Sequence, residues 1–273
     1  MRNPTDFCLL CKTNFANKKN SHIYPRFLST NFLAPNGGAG RGYELGGDKI
    51  LNSRIKTIQD SPKENYILCD ECESFFSVLE GIASATFIDW KEKVSNGEFS
   101  LKKIFEGLDV IESKTIDIKT VTLLIYSIFW RVSISSLKIF KDVKLVQSFE
   151  NDLRIILLDY KSTKKNDYLN LLGKKPEFQF FPFSIITAKS FKDETANILC
   201  APFSYNPYCI IVDRYSFMLF RTVHEINESI LKEFCNLSAD ICKMMIFSQK
   251  LWYDAILKRA FETLRKQTSQ HLN

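Results

Sequence analysis

Several signatures are missing from this sequence, and each absence removes a class of function. No GxxxxGK[ST] run occurs, so a P-loop for a nucleoside triphosphate is unsupported. His224 and Glu225 stand without the second histidine of a zincin, and the "ISS" at 134 to 136 lies in no GxSxG elbow. Neither a zinc protease nor a serine hydrolase is indicated. The longest apolar run, "VTLLIYSIFW" at 121 to 130, is too short to cross a bilayer before Arg131 interrupts it. The opening "MRNPTDF" has no apolar stretch of a secretory leader. Internal repeats and low-complexity segments are absent as well. The expectation is a cytoplasmic protein with no membrane partner. Histidine is scarce, three in 273 residues, so imidazole chemistry has few places to occur.

What remains is a chain able to bury a sizeable core. It is 45% hydrophobic and 13% aromatic, at a length that suits one large domain or two. The net charge is +6, and residues 1 to 60 hold nine Lys or Arg against four Asp or Glu. That asymmetry favours nucleic acid as a partner of the front part, although a solubilising surface would give the same count. Eight cysteines in a reducing compartment are thiols or metal ligands more readily than disulfides. Cys8 and Cys11 form one CxxC, Cys69 and Cys72 another, with 57 residues between the pairs. Two such knuckles supply the four thiolates of a closed tetrahedral zinc site. A thioredoxin-like reading needs a CxxC inside a βαβ unit, which the polar, Gly-rich context does not offer. Cys200, Cys209, Cys235 and Cys242 follow no such pattern. Cys235 and Cys242, seven apart, read as one face of a helix, and core packing is the expected role of this group.

Eleven positions after Cys11 comes His22, in "SHIYPRFL". The chain is extended going into Pro25 and turns after it. His22 has three readings: a zinc ligand, though four cysteines already fill that shell, a packed side chain, or a chemical group. "CLLC", then "SHIYP", then "YILCDEC" resembles the zinc-stapled branch of the HNH, or ββα-metal, nucleases. More narrowly, "SHIYPRFL" followed by "LCDECESFFSVLE" is similar to bacterial HNH-like proteins found in phage-defence settings. The resemblance covers about the first third of the chain. It implies that two CxxC knuckles pin a β-hairpin to a helix and that His22 activates water against a phosphodiester, with DNA the expected substrate. It implies also a nearby cation, and a protein partner such as an ATPase or sensor subunit. The usual ligand before the signature histidine is replaced by Ser21, and the usual His and Asn after the second CxxC by Glu73 and Ser74. Glu73 and Glu80, seven apart on a helix, with Glu64 or Asn65, could rebuild a site for catalytic Mg²⁺ or Mn²⁺. The alternative is a catalytically degenerate, zinc-stabilised binding module that recruits nucleic acid or a protein.

"NGGAGRGYELGG" at 36 to 47 holds six of the ten glycines and reads as a surface loop. Arg26, Arg41, Arg54 and Lys56 could grip a nucleic-acid backbone beside it, without choosing a sequence. Residues 73 to 93 suit a helix carrying the second knuckle, and Ser100 is a plausible cap for a short helix "LKKIFEGL". Helices are expected from 116 to about 140, from 151 to 160, and over 238 to 266. Between them, aromatic and β-branched stretches at about 177 to 222 predict two to four antiparallel strands. The aromatics there could stack bases but are more simply core. The expected architecture is α+β: a zinc-stapled ββα-metal module over 1 to 95, then a mainly helical region over 96 to 273 with a small antiparallel sheet.

Overall fold

The computed structural model describes residues 2–29, 42–45, 56–87, 90–113, 117–141, 143–174, 179–188, 198–200, 207–238, 240–258, 261, 262 and 265. Among these, the protein is α+β, and none of its helices is long and apolar enough to cross a membrane.

Helix α1 (Asp70–Phe87) forms because Cys72, Phe75, Phe76, Leu79 and Ala83 recur at helical spacing and are buried, while Asp70, Glu71 and Glu73 occupy the favourable first turn. A short α2 (Trp90–Ser95) follows it. Helix α3 (Ile118–Ile134) starts where the Asp117 side chain accepts from the Lys119 amide, and its residues are buried all round. It is the central helix, contacting both α1 and α4 (Gln147–Asp159). The amphipathic α4 and α5 (Lys165–Lys174) bury one face each, through Phe149, Leu153 and Leu157 and through Tyr168 and Leu172.

Among the described residues, two sheets accompany these helices. In the smaller, β1 (Ser21–His22) pairs antiparallel with β4 (Lys63–Glu64). The larger has nine strands: β2 (Gly42–Leu45), β3 (Lys56–Ile58), β5 (Ser100–Phe105), β6 (Leu108–Ser113), β7 (Phe183–Ala188), β8 (Ile198–Cys200), β9 (Tyr208–Val212), β10 (Tyr215–Leu219) and β11 (Cys242–Phe247). Their order is β3-β2-β8-β9-β10-β7-β11-β6-β5, antiparallel except for the β2–β8 and β7–β11 pairs. Ile210, Val212 and Phe217 point to the face covered by α1, α3 and α4, while Cys209, Ile211 and Met218 point to the other. That second face is closed by α6 (Ser229–Phe234) and α7 (Gln249–Trp252), which runs on into a π turn at Tyr253–Leu257. Burial on both sides explains why these strands read as continuous apolar runs.

Several expectations are corrected. The sheet is neither small nor purely antiparallel, because strands from both ends of the chain join the four found between 183 and 219. "LKKIFEGL" is not a helix: its residues form β5, the turn and the start of β6. Within 238 to 266, Cys242–Phe247 is a strand and the helix starts only at Gln249. Cys235 and Cys242 therefore share no helical face, but both are buried thiols in the core. The glycine-rich stretch contributes Gly42–Leu45 as a strand, and the rest of 36 to 47 lies outside the described residues. The buried cluster on the first face includes Cys8, Leu79, residues of α3 and Ile246.

Candidate functional site

The first knuckle is a tight excursion in which the Cys8 amide donates to the Asn14 carbonyl (2.8 Å) and the Lys12 amide to that of Cys8 (2.9 Å). Lys12 adopts φ +58° to close it. The second knuckle leads into α1, where the Glu73 amide donates to the Cys69 carbonyl (3.0 Å). Three backbone bonds fasten the two knuckle segments together, Leu9 N–H to Ile67 O (2.9 Å), Lys18 N–H to Leu68 O (3.1 Å) and Tyr66 N–H to Lys18 O (2.8 Å). The result is four buried cysteines, Cys8, Cys11, Cys69 and Cys72, whose sulfurs all lie within 4.8 Å of one another. A tetrahedral zinc with bonds of about 2.3 Å separates its sulfurs by about 3.8 Å. Cys11 and Cys69 already stand 3.9 Å apart. The hydrogen bond from Cys72 draws the Cys8 thiol down to about 5, and the same contact, with burial, pushes Cys72 up. Packed thiols cannot all ionise without a cation among them, and the start of an 18-residue helix adds a favourable dipole. The donor set fits a structural Zn²⁺.

His22 lies on β1, two residues before the fully buried Tyr24. Its ring Nδ1 is hydrogen-bonded to the buried Ser61 hydroxyl, and the Ser61 amide donates to Asp60 (2.8 Å). Asp60 is also paired with Lys63. Burial of the half-exposed imidazole, then the charge of Lys63, lowers its pKa below the ordinary value. Asp60 opposes this, while Arg131 and Arg26 reinforce it. Among the described residues Nε2 has no hydrogen-bond partner. Ser61, at 3% exposure, orients the ring and is itself shielded from attack on a substrate.

Beneath His22 lies Arg131 of α3. Its Nη1 donates to the His22 carbonyl (3.0 Å), Nε to the Ser127 carbonyl (3.2 Å), and Nη2 sits 2.7 Å from Glu80 Oε1. The guanidinium carbon stands 4.7 Å from the Phe76 ring centre. Burial raises the Glu80 pKa and Arg131 opposes the rise. Glu80 is thus held by a buried cation. Glu64 accepts from Ser135 Oγ (2.7 Å) and from the Ser136 amide (3.1 Å), and Asn65 Oδ1 accepts from the Asn20 amide (2.8 Å). Glu73 is half-buried near the start of α1. His22, Glu73 and Glu80 do not converge on one point, because among the described residues the four cysteines are the only cluster of three or more potential metal ligands. The residues expected to hold catalytic Mg²⁺ or Mn²⁺ do not fit that role here. Arg26 is exposed on the 3-10 turn Arg26–Leu28. Arg41 and Arg54 lie outside the described residues, and Lys56 is described only as part of β3.

Sequence reading missed Arg131, Ser61 and Asp60. An arginine inside an apolar helix was a usable signal, since a buried guanidinium requires an acid and carbonyls around it. Nothing local marked Ser61. No protein-family model matches the chain, no curated protein matches its sequence, and no solved structure matches its fold.

Proposed function

We propose that this protein is an HNH-like nuclease that cleaves nucleic acid phosphodiester bonds, with DNA as the expected substrate and His22 as general base. The observation that supports this most is the imidazole itself: half-buried, pinned through Nδ1 by Ser61, with burial and the positive charges of Lys63, Arg131 and Arg26 lowering its pKa. A base of this kind takes a proton from water at Nε2 as the water oxygen attacks phosphorus and the ester oxygen departs. The antiparallel β1–β4 pair leading into the cysteine-bearing α1 follows the strand–strand–helix order of a ββα unit, with β2 and β3 inserted between its strands. Zinc between the knuckles would hold that unit together and take no part in the chemistry.

One observation favours a second reading. Glu80, expected from the sequence to help hold a catalytic metal, is instead paired with Arg131, which suits a degenerate nuclease scaffold kept for binding nucleic acid or a protein. Cleavage of plasmid, linear and single-stranded substrates with Mg²⁺ or Mn²⁺ separates the two. The nuclease reading requires cutting by wild type and its loss in a zinc-loaded His22→Gln variant of equal stability. Absence of cutting by both, with zinc bound, leaves the binding reading.

A further inference from the structure

The first knuckle exposes two aromatic rings. Phe7 and Phe15 face each other across an antiparallel bridge, with ring centroids 5.5 Å apart and planes inclined by 16°. They are 56% and 58% exposed. A cross-strand aromatic pair steadies a hairpin, which accounts for the contact between the rings but not for what surrounds them. Arg2 lies alongside, its guanidinium donating to the Phe7 carbonyl and, at 2.7 Å, to the Tyr66 carbonyl. Tyr66 is a half-buried aromatic at φ +60°, and the Lys19 ammonium lies 6.0 Å from its ring centre. Phe15, Phe7, Arg2, Tyr66 and Lys19 are therefore neighbours along one strip, three aromatic residues with two cations beside them.

Two cations on this strip stand against one acid, Asp6, because Asp70 and Glu71 are paired elsewhere. Asp6 accepts from the Asn3 amide, Asp70 is held by Asn17 and Lys18, and Glu71 by Lys161. Arg2 is hydrogen-bonded to carbonyls and keeps its full charge. Flat apolar faces with cations beside them match the bases and phosphates of an unpaired strand, whereas duplex DNA hides its base faces in the stack. We infer that this strip is a binding surface for single-stranded nucleic acid, with bases stacking on Phe7, Phe15 and Tyr66 and phosphates meeting Arg2 and Lys19. The inference rests on the nucleic-acid reading above and gives it a substrate form.

The test is binding of a fluorescent single-stranded oligonucleotide and of its duplex to the zinc-loaded full chain, by anisotropy. Phe7→Leu/Phe15→Leu is expected to weaken single-strand binding by at least about tenfold and to leave duplex binding unchanged. Lys19→Gln should lower the salt slope of single-strand binding by about 0.7. Zinc content and melting temperature confirm folding in each case. Should the double variant lose zinc, Phe15→Trp serves instead: its fluorescence is expected to be quenched by the oligonucleotide. Undiminished binding by a folded double variant, no quenching in Phe15→Trp, or wild-type binding of duplex alone overturns the inference. None of these outcomes depends on His22, so failure here and failure of the nuclease reading are distinguishable.

Discussion

At the scale of single residues, Arg131 and Glu80 form a buried pair whose members depend on each other. Arg131→Met strands a carboxylate in the core and should cost about 3 to 5 kcal/mol in urea unfolding. Adding Glu80→Leu should recover most of that loss, since removal of both charges leaves an apolar contact. Asp213 gives a pH-dependent prediction. It sits at φ +54° between β9 and β10, 2% exposed, paired with Arg214 at 3.4 Å with neither oxygen aligned for a hydrogen bond. Burial pushes its carboxyl from 3.8 up to about 7, against the pull of Arg214. Between those values the folded chain binds the proton that the unfolded chain has released, so stability falls as pH rises from about 4 to about 7. Asp213→Asn, which tolerates the same backbone angle, should be more stable by about 2 to 4 kcal/mol at pH 8 and show no gain at pH 3, measured by denaturant unfolding across pH. The zinc cysteines were legible because CxxC spacing is local. The Arg131–Glu80 pair was not, because its partners are 51 positions apart and neither residue names the other.

Among elements, the β5–β6 hairpin shows why pattern alone misleads. Leu101, Ile104, Phe105 and Leu108 fall at helical spacing, yet Ser100–Phe105 is an edge strand with every residue exposed, so its apolar positions never had to select one buried face. The decisive residue is Gly107, at φ +97° in the turn, where an added Cβ would come within 2.9 Å of Ser248 Oγ. Gly107→Ala should destabilise the protein by about 1 to 3 kcal/mol, seen as a lower urea midpoint with unchanged slope. Helices α1, α3 and α4 were legible, since each has either a clear apolar stripe or apolar residues all round. The strand at Cys242–Phe247 escaped because a short apolar run buried on both faces carries no period of its own.

Across the whole molecule, sequence patterning marked most strands between 177 and 222 but could not give their neighbours. Strand β2 pairs with β8, and β11 lies between β7 and β6, partnerships set by packing of distant segments rather than by anything within them. The same packing places Cys8, Cys11, Cys69 and Cys72 in one buried cluster with α3 and the sheet. Stripping zinc with a chelator should therefore lower the melting of the entire chain in a single transition, by calorimetry, and Cys69→Ser should do the same while abolishing the expected one zinc ion per chain.

The bond from Arg131 to the His22 carbonyl spans 109 positions, whereas all four metal-binding thiols lie within the first 72. During synthesis the ion can thus be captured well before α3 has emerged to anchor the histidine. Closure of the four-cysteine cluster needs only the first 72 residues, and a nascent chain released early would have that cluster without the anchored histidine.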